Sequence, residues 1–191
     1  MQQKIRNIRE QVLSDNWYVL KKYTFELQRA DGQWQEQQRE AYDRGNGAVI
    51  LLYNRCKRTV VLTRQFRLPV FINGHHGLLI EAAAGLLDEA SPEARIIAEA
   101  EEETGYRVKK LEKVMEAYMS PGSVTEKLYF FIAEYTDEDR QSSGGGLVDE
   151  GEDIEVMEWS LDHALASIRS GEIMDAKTIM LLQHLALNVT F

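Results

Sequence analysis

Four glutamates crowd the stretch Ala98-Glu-Ala-Glu-Glu-Glu-Thr-Gly105. At 3.6 residues per turn, Glu99, Glu102 and Glu103 stand at i, i+3 and i+4 and share one helix face, with Glu101 turned elsewhere. Carboxylates stacked this way destabilise a bare helix by roughly a few tenths of a kcal/mol per i,i+4 pair. No lysine or arginine is expected one turn away to relieve them. Hard oxygen donors in this pattern suit Mg²⁺, with Mn²⁺ as the alternative, since both also take water and phosphate oxygens. The plainer alternative is a solvated acidic face.

The charge pattern marks the same stretch. The 191 residues carry 22 bases and 31 acids, a formal net charge of −9. Glu81 to Gly105 holds eight acids and one base, and Asp137 to Glu158 nine acids and one base, so the rest of the chain is net basic. Acid clusters repel unless they spread into solvent or meet cations.

The elements that must position these acids are legible from periodicity and punctuation. Leu78 to Ala84 reads as a strand running into Gly85, then a loop, then a helix opened by Ser91 as N-cap and Pro92 at the first position, and closed by Gly105. Upstream, Trp17 to Leu27 and Gln35 to Tyr42 read as strands around the turn Ala30-Asp-Gly-Gln33. The second of these is too polar for a core and is expected at an edge or against a partner. Asn46 to Tyr53 and Thr59 to Arg64 flank a polar hairpin turn. Leu111 to Tyr118, Leu128 to Tyr135 and Ile154 to Trp159 are further strands. Ser142 to Gly146 is a glycine-rich loop, and Leu161 to Ser170 and Ala176 to Leu187 are the closing helices. The expectation is an α/β chain: residues 1–45 form an extended β arm, and residues 46–191 one mixed domain.

Composition narrows the function classes. Hydrophobic residues make up 44% and charged residues 28%, the balance of an ordinary globular chain. No apolar run approaches the ~18 residues of a membrane span, and the first ten residues lack a secretory h-region. The single cysteine, Cys56, forms no disulfide within the chain. A reducing cytoplasm is the expected compartment. The four histidines have no metal-ligand spacing, Gly122-Ser123 is no nucleophile elbow, and no basic stripe with interleaved aromatics points to nucleic acid.

Gly85-Leu-Leu-Asp-Glu-Ala-Ser-Pro-Glu-Ala-Arg-Ile-Ile-Ala-Glu-Ala-Glu-Glu-Glu-Thr-Gly105 resembles the signature of the Nudix hydrolases: a glycine, a short loop, and a helix carrying Arg-Glu-x-x-Glu-Glu-x-Gly. Three departures stand out. The spacing from loop to helix is one residue short, Ser91 replaces a glutamate, and Ala98 replaces the basic residue before Glu99. Tyr118-Met-Ser-Pro-Gly-Ser-Val-Thr-Glu126, Arg64-Gln-Phe-Arg67 and Gly146-Leu-Val-Asp-Glu150-Gly-Glu152-Asp-Ile resemble segments of the family's nucleotide-sugar and ADP-ribose branch. Asp15-Asn-Trp-Tyr, Tyr42-Asp-Arg-Gly-Asn-Gly, Asn73-Gly-His and Gly171-Glu-Ile-Met-Asp-Ala-Lys177 echo the same branch, so the likeness spans nearly the whole chain.

The resemblance implies the Nudix α/β/α sandwich with a mixed sheet and an N-terminal antiparallel β arm. It implies divalent-metal hydrolysis of a nucleoside diphosphate linked to a second group. Glu99, Glu102, Glu103 and the Ala84 carbonyl would be metal ligands. Glu126 would support metal or substrate. Glu152, or failing it Glu150, would activate the attacking water or complete a metal shell; an acidic surface loop is the alternative for both. Gly144 to Gly146 and Gly151 give that loop freedom to close.

Metals neutralise the phosphoryl oxygens and acidify bound water, and a nearby carboxylate then serves as base. Arg67 is expected to fork onto the phosphates and Lys177 to add a point charge, each with an ordinary ion pair as alternative. Gly85, Leu86, Glu103, Gly151 and Glu152 would line the substrate. Trp17 would stack on the base, with Gln38, Arg39 and Glu40 beside it, or else Trp17 would be core of a homodimer that exchanges arms. GDP-mannose, cut to GMP and mannose 1-phosphate, is the foremost expected substrate. ADP-ribose is the alternative, and a weakly catalytic nucleotide-sugar sensor the second.

Overall fold

The computed structural model describes residues 4–147, 149 and 151–191. It divides into two compact units, residues 1–46 with 118–127, and residues 47–117 with 128–191.

The first unit is built on a three-stranded antiparallel sheet in the order β1 (Ile5–Asp15), β2 (Val19–Gln28), β3 (Trp34–Asp43). β2 and β3 meet where the sequence expects, around the turn where Gly32 takes φ +84°. The polar β3 is an edge strand of this sheet, as expected. β1 is an addition to the two expected strands. Its apolar residues Ile5, Ile8, Val12 and Leu13 fall at helical intervals, and its pairing with β2 is interrupted by register shifts at Arg6/Arg9 and Val12/Ser14. Segment 118–127 joins the unit through backbone bonds: the Tyr42 N–H donates to Ser123 C=O and the Thr125 N–H to Tyr42 C=O, at 2.8 and 3.1 Å.

The second unit is a mixed seven-stranded sheet. Its path runs β10 (Glu155–Ser160), β5 (Thr59–Gln65), β4 (Gly47–Asn54), β9 (Lys127–Glu134), β8 (Leu111–Tyr118), with β6 (Leu79–Glu81) on β5 and β7 (Ala83–Leu86) on β4. β4 and β9 are parallel; β5, β7 and β10 pair antiparallel. All eight residues of β4 are buried, because both faces are covered. Ala48, Ile50 and Leu52 pack in one core with Phe131 and Ala133 of β9 and with Ile96 and Ala100. Ile96 lies on α2 (Pro92–Glu99) and Ala100 in the turn that follows it. The alternate residues Val49 and Leu51 face the other side, where α4 (Ala176–Asn188) packs on β4 and α3 (Leu161–Ser170) packs on α4. This is the expected α/β/α arrangement. A short helix, α1 (Leu68–Ile72), was not expected; Pro69 opens it, and none of its residues is buried.

A buried hydroxyl helps tie α4 to the strands. Thr178 is fully buried; its Oγ1 accepts from the Ala82 N–H at 2.7 Å, in the break between β6 and β7, and donates to the α4 N-cap Asp175 at 2.5 Å. Valine has the same shape without the hydroxyl, so Thr178→Val strands a buried N–H, a loss of about 1–3 kcal/mol. The expected result in urea is a lower unfolding midpoint with an unchanged slope.

Candidate active site

The helix that opens at Ser91 carries two acids into the core. Ser91 caps it by accepting from the Ala94 N–H, and Pro92 follows, as expected. The buried face runs Ile96, Glu99, Ala100, Glu103, spaced i, i+3, i+4, i+7. That is the stripe an amphipathic helix gives to apolar side chains, and here Glu99 and Glu103 occupy half of it, 5% and 2% exposed. Glu102 is half-buried and Glu101 exposed.

The helix is α-helical only to Glu99; Ala100–Thr104 form a π turn before Gly105, so the expected uniform pitch does not hold to the end. Such widened turns occur often at functional sites. The expectation that no base lies one turn from the glutamates is also wrong: Arg95 Nη2 meets Glu99 Oε1 at 2.6 Å, from i−4.

Two glycines make the close packing possible. A Cβ on Gly85 would fall 1.9 Å from Glu99 Oε1, so the carboxylate lies in the space a side chain would fill. Beside it the Ala84 N–H donates to Glu103 Oε2 at 3.2 Å. Gly105 has φ +78°, and a Cβ there would fall 2.4 Å from the Ser142 carbonyl oxygen, so the glycine-rich loop lies directly on the helix end.

That loop is bonded to the glutamate segment through its backbone. The Gly145 N–H donates to Glu103 C=O at 2.9 Å and the Gly146 N–H to Glu102 C=O at 3.1 Å. These are among the last carbonyls of the helix, which lack partners within it. Glu152 Oε2 accepts from the Leu147 N–H at 2.9 Å. Glu150 lies outside the described residues, and Gly151 is exposed.

Burial first, then the neighbouring charges of Glu99 and Glu152, push the Glu103 carboxyl up to about 8, against the opposing pull of Arg67 and the Ala84 N–H. A buried excess of negative charge with oxygen donors is what a hard divalent cation relieves. Among the described residues, no three acid, histidine or cysteine side chains already form a cage around one point. Mg²⁺ commonly needs only one or two carboxylates, with waters and substrate phosphates completing its shell, so the donors present fit it.

Arg67 and Lys177 both meet Glu81, a residue the sequence reading passed over. Glu81, 3% exposed, accepts from Arg67 Nε at 2.7 Å and from Lys177 Nζ at 2.5 Å, and Lys177 also meets Asp175 at 3.1 Å. Burial alone would raise the Glu81 carboxyl, but Lys177 and Arg67 hold it below the ordinary carboxylate range. Lys177 is therefore largely enclosed in ion pairs, whereas Arg67 keeps 39% of its side chain exposed and its charge reaches Glu103. The signal for Glu81 was its position four residues before Gly85, at the end of the short strand that precedes the one carrying Ala84.

Of the remaining predicted residues, all but Leu86 lie in the first unit. Trp17 is 83% exposed, edge-on to Tyr18. Gln38, Arg39 and Glu40 are exposed on β3, where Arg39 Nη1 donates to the Gln38 carbonyl at 2.7 Å. Glu126 is paired with Arg44 at 3.5 Å. Leu86 is half-buried at the end of β7, in the second unit.

The Glu103 shift has a sign that can be measured. Between the ordinary carboxylate pKa near 4.3 and about 8, the native state holds a proton that the unfolded chain has lost. Stability from this group is therefore fully present below that window and is lost as pH rises through it. Without divalent metal, the melting temperature is expected to fall more from pH 5 to 8.5 in the wild type than in Glu103→Gln. Thermal melts of both proteins across that range check it.

Residues 43–174 match the NUDIX domain model, and residues 4–42 match the model described as the GDP-mannose pyrophosphatase NudK N-terminal domain. The chain is 57% identical to a GDP-mannose pyrophosphatase of Pectobacterium atrosepticum, over 93% of this chain and 91% of that one. It is 56% identical to one of Citrobacter koseri, over 97% and 96%. A crystal structure described as an ADP compounds hydrolase superposes with a TM-score of 0.72 at 18% identity, covering 97% of this chain and 94% of that one, which shows the shared fold. The chain belongs to the Nudix hydrolase family, in its pyrophosphatase branch.

Proposed function

We propose that the protein hydrolyses the pyrophosphate bond of a nucleotide sugar, GDP-mannose before others, releasing GMP and mannose 1-phosphate with Mg²⁺ as cofactor. The observation that carries this reading is the Glu99 and Glu103 pair, buried in the core-facing stripe of a Nudix helix and seated against Ala84 and Gly85. The names of the relatives supply the substrate class. Arm and domain are divided at 45/46 in this reading, and the arms of two chains exchange in a homodimer. A single exposed cysteine fits a reducing cytoplasm.

Glu99, Glu102, Glu103 and the Ala84 carbonyl would hold the metal, which would supply charge neutralisation at the phosphates and acidification of water. Glu103 must give up its proton to ligate, which couples metal uptake to proton release. Arg67 keeps its Nε on Glu81 and offers its remaining N–H groups to a phosphate oxygen. Lys177 contributes to phosphate binding through the same cluster, as the partner that keeps Glu81 ionised. Glu152 is assigned the proton of the attacking water, reached by exchanging its bond to the Leu147 N–H, with Glu150 the alternative base and Gly151 the hinge between them. Gly85 and Leu86 complete the wall around the phosphates. Trp17, with its face exposed, stacks on the guanine of the partner's substrate beside Gln38, Arg39 and Glu40.

Phosphate release through a coupling phosphatase, with Mg²⁺ and with GDP-mannose and ADP-ribose in parallel, tests the reaction. GDP-mannose turnover is expected to dominate and to fall at least ~100-fold in Glu103→Gln, consistent with losing metal-borne charge stabilisation. Dominant ADP-ribose turnover changes the substrate, and unchanged turnover in the variant removes Glu103 from the metal site. Sedimentation at micromolar concentration is expected to give a dimer; a monomer defeats the shared arm.

A further inference from the structure

We propose that Arg95 is a positioning residue for the metal-binding carboxylate of Glu99, supplying from one turn earlier the guanidinium that the family pattern places directly before that glutamate, where this chain has Ala98. The inference rests on the reading of Glu99 and Glu103 as metal ligands.

Two observations meet on one atom, and a third concerns the burial around it. Glu99 Oε1 receives Arg95 Nη2 at 2.6 Å. The same oxygen lies 1.9 Å from where a Gly85 Cβ would stand, so the carboxylate is pressed onto the strand backbone. The side chains are withdrawn from water, Glu99 to 7% and Arg95 to 27% exposure, and Arg95 Nε is itself buried without a hydrogen-bond partner. A guanidinium whose stem is covered by protein and whose head reaches a neighbouring helical turn has few other orientations. It fixes the carboxylate in the rotamer that fits over Gly85. It also opposes the repulsion that two buried acids, Glu99 and Glu103, exert on each other one turn apart. A helix offers two routes to this charge: the residue before the glutamate, or the i−4 residue on the same face, which is the better aligned of the two. With Ala98 small and uncharged, the i−4 route is the one this helix takes.

Outer-shell partners of metal ligands commonly account for 10–100-fold in metal affinity. The test measures Mn²⁺ binding by the loss of its free-ion electron paramagnetic resonance signal, at one pH and without substrate. Wild type is compared with Arg95→Met, Arg95→Lys, Arg95→Met/Ala98→Arg and Glu103→Gln, and metal-free melting temperatures are recorded alongside. Methionine keeps the apolar stem and removes the charge. Arg95→Met is expected to weaken Mn²⁺ binding about tenfold or more, with partial recovery in Arg95→Lys and in the variant that moves the arginine to position 98. The proposal is overturned if Arg95→Met melts lower yet binds Mn²⁺ like the wild type while Glu103→Gln binds weakly, because Arg95 is then only structural. Wild-type protein that takes up no Mn²⁺, or that binds it as Glu103→Gln does, overturns the metal reading, and the role of Arg95 falls with it.

Discussion

The core-facing stripe of the helix after Ser91 is half acid, and much of the second unit is arranged around that fact. A carboxylate placed where isoleucine belongs is costly unless something compensates the charge. The compensation comes from several directions: a strand glycine that leaves room for Glu99, an arginine one turn away, a backbone N–H from Ala84 for Glu103, and the positive charge of Arg67 nearby. It is incomplete at Glu103, which retains a proton near neutrality.

Glu81 gives the complementary half of the electrostatics. Its carboxylate is as buried as those of the helix, but it stays ionised because Lys177 and Arg67 converge on it. Two buried acids of similar exposure thus differ in proton affinity because of their neighbours. The ionised one gathers two cationic side chains, and the other keeps its proton. Thr178 and Asp175 secure the helix that brings Lys177 to this point.

Much of this was legible in the residues. The glutamate spacing, the Ser91-Pro92 start, the Gly105 stop and nearly every strand of the sheet followed from local rules, because each is written in consecutive residues. What was missed depends on what touches what. Arg95 was visible at i−4 but counted only as part of an acidic run. Glu81 looked like one polar residue in an apolar strand, and its partners lie 14 residues before it and 96 after it. β1 has the spacing of a helix and is a strand by its pairing with β2, which two irregularities interrupt. The π turn has no composition of its own, and two of its carbonyls are met by a loop some 40 residues downstream.

That π turn has a further meaning for how the helix can vary. A widened turn is an α-helix holding one residue more than its pitch requires. Loss of a residue between Ala100 and Glu102 would let the segment relax to ordinary α geometry while Glu99 upstream and Glu103 and Gly105 downstream kept their faces. The same loss between Pro92 and Ala98 would rotate everything beyond it by about 100° and turn the acids out of the core. The π turn is therefore the place where the helix can change length and keep Glu99 and Glu103 on the core face, and the exposed Glu101 marks it.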